Sequence, residues 1–166
     1  MRLLFLLAAT LFFSTACAPA LSRESMELVD PAVTFEELVR EPDRHVGRYL
    51  LLGGAIVSVR SREEKGSELE VVQHPVDHRG RVTDTNRSAG RFILKDDTFR
   101  DSSIYRPGKL ITVVAQVEGS RTGHIGEFDY LYPVLTVHEL RLWGAGDHPE
   151  ARRTFFGIGI GVGIGL

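Results

Sequence analysis

Five Leu/Ile/Val-rich or alternating segments, separated by turn-forming residues with no long helical period between them, predict a mainly β chain. A glycine pair inside the first segment and one short helix signal ahead of it narrow this to a small five-stranded OB-like barrel with one short N-terminal helix. The 166 residues, 43% hydrophobic and 25% charged, fit one globular domain and exclude wholesale disorder.

The elements follow in chain order. Met1-Arg2 and the apolar run from Leu3 to Phe13 have the form of a signal peptide, too short to span a bilayer as a helix. Ser14-Thr15-Ala16 and then Cys17, the one cysteine of the chain, have the shape of a lipobox. There the thiol takes a diacylglycerol before cleavage and the new N-terminus is then acylated. Ser14 stands where a lipobox usually carries Leu, and Ala16-Cys17-Ala18 also reads as an ordinary A-x-A cleavage site. Ala18 instead of Asp after the cysteine points, by the sorting convention of enterobacteria-like cells, to the outer membrane. Residues 1–16 are thus read as a lipoprotein signal peptide and 17–33 as a lipidated N-terminus and tether.

Residues 34–143 are read as the barrel domain. Thr34-Phe35-Glu36-Glu37 forms a capping box opening a helix that stops before Pro42, with Phe35, Leu38 and Val39 as its buried stripe. Arg48 to Arg60 is the first strand, with a bulge or bend expected at Gly53-Gly54, and Val57 and Val59 on the face opposite Ile56. Leu69 to Gln73 is the second, followed by a long polar loop from His74 to Gly90. Gly90 to Lys95 is the third, and Lys109 to Glu118 the fourth. Gly119 to Gly126 reads as a turn, and the fifth strand lies within Tyr130 to Trp143, with Pro133 near its start. Residues 144–166 are a linker and an apolar tail, Phe155 to Leu166, in which glycine alternates with Ile, Val and Leu. As a helix that tail would span only ~18 Å.

Several segments carry a resemblance. They are Gly53-Gly54-Ala55-Ile56-Val57, Leu69-Glu70-Val71-Val72-Gln73, Ser88-Ala89-Gly90-Arg91-Phe92 and Ile104-Tyr105-Arg106-Pro107-Gly108, with Tyr130-Leu131-Tyr132-Pro133-Val134 and Leu142-Trp143 closing the series. In their order and spacing, the stretch from Phe35 to Trp143 resembles the Slp family of starvation-inducible outer-membrane lipoproteins. The resemblance implies a periplasm-facing lipoprotein held in the outer membrane by acyl chains on Cys17. It brings no catalytic residue and no cofactor with it, and it names no protein partner.

The remaining chemistry is sparse. Lys and Arg number 20 against 22 Asp and Glu, a formal net charge of −2, which excludes a strongly basic nucleic-acid binder. A single cysteine excludes a disulfide scaffold and a Cys-rich zinc site. His74-Pro75-Val76-Asp77-His78 places two imidazoles and a carboxylate close together, so an alternative function is a periplasmic ligand-binding, metal-binding or hydrolytic domain built on that loop. Pro75 argues against the helix that would put both imidazoles on one face, and no further ligand follows at diagnostic spacing. The expectation is therefore no metal. Arg87, Arg91 and Arg106 are expected to pair with Asp96, Asp97 and Asp101 at the surface. In Phe128 to Pro133, core packing is expected, with the tyrosine hydroxyls on polar partners.

Overall fold

The computed structural model describes residues 20–62 and 66–144. In chain order it holds α1 (Arg23–Leu28), α2 (Phe35–Arg40), a 3-10 turn at Pro42–His45, β1 (Tyr49–Arg62), β2 (Gly66–His74), β3 (Arg91–Asp96), β4 (Leu110–Ile125) and β5 (Phe128–Leu142). The strands close a five-stranded barrel in the order β1-β2-β3-β5-β4. All neighbours are antiparallel except β3 and β5, whose parallel pairing runs from Ile93 opposite Val134 to Lys95 opposite Thr136. The mainly β, OB-like barrel read from the sequence is the fold.

Alternation fills the interior. Leu50, Leu52 and Ile56 of β1, Leu69 and Val71 of β2, Phe92 and Leu94 of β3, Ile111 and Val113 of β4 and Leu135 of β5 form one buried cluster. Helix α2 adds Phe35 and Leu38 to it, with the Phe35 ring edge-on to Phe92 at 5.7 Å. Its capping box is formed: the Thr34 hydroxyl accepts from the Glu37 N–H at 3.3 Å, and the Glu37 carboxylate accepts from the Thr34 N–H at 2.9 Å. Those Thr34 bonds hold the Glu37 carboxyl below its ordinary pKa. A barrel of this size is filled by its own side chains.

Closure depends on β1 serving two neighbours at once. Gly53, Gly54 and Ala55 face His74, Gln73 and Val72 of β2 on one edge and Thr112, Ile111 and Leu110 of β4 on the other. A Cβ at Gly54 would lie 2.1 Å from the Val72 carbonyl oxygen. The glycine is there for close approach of two backbones. Where a bulge or bend was expected at Gly53-Gly54, the register shift lies further on, between Ile56 and Ser58. One extra residue there turns Ile56 and Val59 toward the same core, where unbroken alternation had put them on opposite faces.

Three further differences have physical causes. Strand β4 continues to Ile125, because a register shift at Val117/Gly119 absorbs Gly119 (φ 145°) within the strand. The expected turn shrinks to Gly126-Glu127, a two-residue hairpin loop with Gly126 at φ 62°. A second helix, α1, lies in the stretch read as a tether. Its one inward apolar side chain, Met26, packs on the cluster that buries Ala20 and Trp143, and its N-terminal end is fixed by hydrogen bonds. Ser22 caps it by accepting from the Ser25 N–H at 3.2 Å, and the Glu139 carboxylate accepts from the Ser22 N–H at 3.0 Å. From Ala20 onward that stretch is docked: Ala20 and Leu21 are buried with Val82, Leu110, Val114 and Trp143 in a second cluster. The loop after β2 is likewise anchored, through a Val76–Val82 bridge and the buried Val82. The signal peptide, Cys17 and the tail Phe155 to Leu166 lie outside the described residues.

Replacing Gly54 by alanine is expected to lower stability by about 1–3 kcal/mol or more, as overpacking against rigid backbone does. Chemical denaturation of the Gly54→Ala variant measures this, and wild-type stability would contradict the close approach.

Candidate functional site

The outward faces of β2, β3, β4 and β5 carry the most elaborate side-chain chemistry among the described residues. On β2 the period of two sends Ser67, Leu69 and Val71 inward and Glu68 and Glu70 outward. Arg121, on the β4 extension, grips Glu68 with two parallel bonds of 2.8 Å each. Arg91 of β3 donates to Glu70 at 2.8 Å, and the Tyr132 hydroxyl donates to the same carboxylate oxygen at 3.1 Å. Lys95 of β3 and Thr136 of β5 both donate to Glu118. Beneath them Ile93, Tyr132 and Val134 form a small buried patch. Arg60, Glu68, Glu70, Arg121, His124 and Tyr132 border a cleft of about 240 Å³.

The electrostatics follow from these pairs. The Arg121 hydrogen bonds hold Glu68 below its ordinary pKa against the opposing effect of burial. Lys95 and then Thr136 do the same for Glu118. Burial, followed by the neighbouring Glu70 charge, pushes the Tyr132 hydroxyl up. Cations and carboxylates thus neutralise one another across the strands, and the face presents no run of free positive charge to a polyanion.

The sequence-predicted residues fare differently. His74 is buried and its Nδ1–H donates to the Arg87 carbonyl at 2.8 Å, while His78 is exposed on the following turn. The two imidazoles are not brought together, and among the described residues no group of three His, Cys, Asp or Glu could hold a metal. Arg91 pairs with Glu70 and not with an aspartate. Asp96 pairs instead with Arg100, at 2.7 Å, and Asp101 accepts from the Ser103 N–H at 2.8 Å. In the aromatic cluster, the Tyr130 hydroxyl accepts from the Arg91 N–H at 2.8 Å and Tyr132 bonds Glu70 as above. Phe128, at the hairpin tip, is 79% exposed instead of packed. The Glu68–Arg121 and Glu70–Arg91 pairs escaped sequence reasoning because their members lie far apart in the chain. The outward spacing of Glu68 and Glu70 on β2 was the available signal.

A second concavity, about 600 Å³, lies between the N-terminal end of α2, β1 and the Arg87–Ala89 segment. It is shallow and mixed in character, lined by Val33, Leu51 and Val76 as well as Asn86, Arg87 and Ser88.

With this geometry in hand, comparison with known proteins decides the family. The profile of the outer membrane lipoprotein Slp family matches residues 15–157. This chain belongs to the Slp family. It is therefore grouped with outer-membrane lipoproteins, and the resemblance read from its segments is the family relationship. A curated relative is the uncharacterized lipoprotein YeaY of Escherichia coli K12, 32% identical over 111 residues. The match covers 65% of this chain, which spans 56% of that protein's length. Among solved structures, the mitochondrial single-stranded DNA-binding protein Rim1 of S. cerevisiae aligns at 14% identity, over 58% of this chain and 94% of that one, with a TM-score of 0.35. A second crystal structure of Rim1 gives 13% and 0.33. At those values the likeness carries no argument about function.

The pairing of Glu68 has a pH signature. A carboxylate whose folded pKa is depressed contributes stability that is full above its ordinary value and lost as pH falls through the lowered one. Arg121→Gln is expected to cost at most about 1 kcal/mol near neutrality, as half-exposed pairs do. The gap from wild type should close as the pH falls below the ordinary value of 4.5. Melting temperatures at a series of pH values check this, and a gap that widens in acid would contradict it.

Proposed function

We propose that this Slp-family chain is a non-enzymatic envelope module, attached to the outer membrane by acyl chains on Cys17 and facing the periplasm. The observation that carries the reading is the separation of anchor and body. Cys17 is the one cysteine of the chain, and Ala20, three residues on, is already buried against the barrel. A lipidated Cys17 would hold a packed domain directly at a bilayer, where two or three fatty chains give durable attachment and one does not. Support for a binding or structural role comes from the filled barrel and the self-neutralised outer face. Neither converges nucleophile, base and oxyanion donors on one point, which catalysis of acyl or phosphoryl transfer requires. The family relationship further suggests a link to starvation or stress.

Two measurements test the reading. Mass spectrometry of the membrane-extracted protein should show an N-terminus at Cys17 carrying acyl chains. Cys17→Ala should leave uncleaved precursor or soluble protein in detergent-phase partitioning. Unchanged partitioning of the variant would refute the anchor. Stoichiometric zinc in the native protein, lost on replacing His74 and His78 together, would favour the metal-binding alternative.

A further inference from the structure

We infer that the pole of the barrel where Ala20, Gly80 and Trp143 meet is a basic docking surface for anionic phospholipid headgroups, so that the domain sits on the membrane in one orientation. The inference rests on the anchoring of Cys17 proposed above and adds the face that touches lipid.

Four observations converge there. First, the chain enters at this pole: the Ala20 N–H donates to the Arg79 carbonyl at 2.9 Å, and Arg141 donates to the Ala20 carbonyl at 3.3 Å. Only Ala18 and Pro19 separate Cys17 from Ala20, a reach of about 10 Å even when extended. An acylated Cys17 can only hold this end of the barrel down. Second, the chain leaves at the same pole. The Trp143 N–H donates to the Leu110 carbonyl at 2.9 Å, and Trp143 packs with Ala20 and Leu21 in one cluster.

Third, the pole is rigid. The buried Thr112 hydroxyl donates to the Gly80 carbonyl at 2.6 Å and accepts from the Trp143 indole N–H at 2.9 Å. That bond chain ties the turn bearing Arg79 and Arg81 to the end of β5. Fourth, its cations are uncommitted. Elsewhere Arg91, Lys95, Arg100 and Arg121 are each held by a carboxylate, while Arg40, Arg60, Arg87, Arg106 and Lys109, like the arginines of this pole, make no ion pair among the described residues. Arg79 and Arg81 make no ion pair among the described residues, and the exposed Arg141 lies over the Trp143 ring at 4.6 Å. The nearby carboxylates of Asp77 and Glu139 keep their charge but bond neutral donors, so the three arginines outnumber these two acids by one. Asp77 accepts from the backbone N–H groups of Arg79 and Arg81 at 2.9 Å, and Glu139 accepts from Ser22. A chain of net charge −2 thus keeps unpaired arginines where its anchor would bring phosphate-bearing headgroups. The opposite end of β5, with Phe128 at the hairpin tip, lies 14 residues away along the strand, roughly 45 Å of extended chain.

The single tryptophan, Trp143, is a built-in probe. The lipidated full-length protein, reconstituted in vesicles doped with lipid spin-labelled near the headgroup, is expected to lose at least half its Trp143 fluorescence when phosphatidylglycerol is present. Quenching should fall at least twofold in pure phosphatidylcholine vesicles and in an Arg79→Glu/Arg81→Glu variant. A dye on a Phe128→Cys variant, whose new thiol is the only one left free by acylation, should be unquenched. Equal quenching at Phe128 and Trp143, or Trp143 quenching indifferent to vesicle charge and to the arginines, overturns the inference. A chain that carries no acyl group and stays off phosphatidylcholine vesicles refutes the Cys17 anchor instead. Charge-dependent quenching of Trp143 by that same chain would still support the basic pole.

Discussion

Everything in this barrel depends on β1 being able to pair on both edges at the same three residues. At Gly53, Gly54 and Ala55 the strand is paired with β2 on one edge and β4 on the other, within one closed sheet. Any side chain at Gly54 would place its Cβ 2.1 Å from the Val72 carbonyl oxygen, far inside van der Waals contact. Without that approach the barrel opens and the interior layer of Leu52, Leu69, Phe92, Ile111 and Leu135 loses a wall. A bulge follows between Ile56 and Ser58. It rotates the rest of β1 so that Val59 still faces the core.

A second packing centre lies outside the barrel interior and is organised by polar groups. Thr112 stands on β4 with no exposed surface, its hydroxyl shared between the Gly80 carbonyl and the Trp143 indole. Around it the apolar residues Ala20, Leu21, Val82, Leu110 and Val114 pack. A hydroxyl buried without partners would be costly, so the two bonds specify one arrangement of loop, N-terminal segment and β5 end. The same centre makes the first described residues part of the domain and leaves little slack before Cys17.

The two ends of the molecule are chemically unlike. Across β2, β3, β4 and β5, arginines and a lysine are matched by glutamates, and each member lowers the other's appetite for an external ion. At the Ala20–Trp143 pole the carboxylates instead bond backbone and serine donors, and no ion pair joins them to the arginines among the described residues. The outer face is thus polar and self-satisfied, whereas the pole where Ala20 and Trp143 meet keeps its arginines outside ion pairs.

The sequence by itself determined the strand number, the capped helix before Pro42 and the family. Each rests on short-range patterns: alternation within a strand, Thr34 and Glu37 three residues apart, the order of segments from Gly53 to Trp143. Only the tertiary structure decided where register shifts fall, because a bulge and a bend leave the same glycine signature. Thus Gly53-Gly54, read as a bulge or a bend, proved a close approach with the register shift falling further on, and Gly119 resembled a turn and proved a mid-strand shift. Helix α1 was likewise hidden, since its cap Ser22 is held by Glu139, 117 residues away, and its Met26 packs on a cluster assembled from distant strands. The pairing of Glu68 with Arg121 and the meeting of Ala20 with Trp143 are also long-range. Local chemistry carries no record of which distant strand will lie alongside, and closure of the barrel is what supplies it.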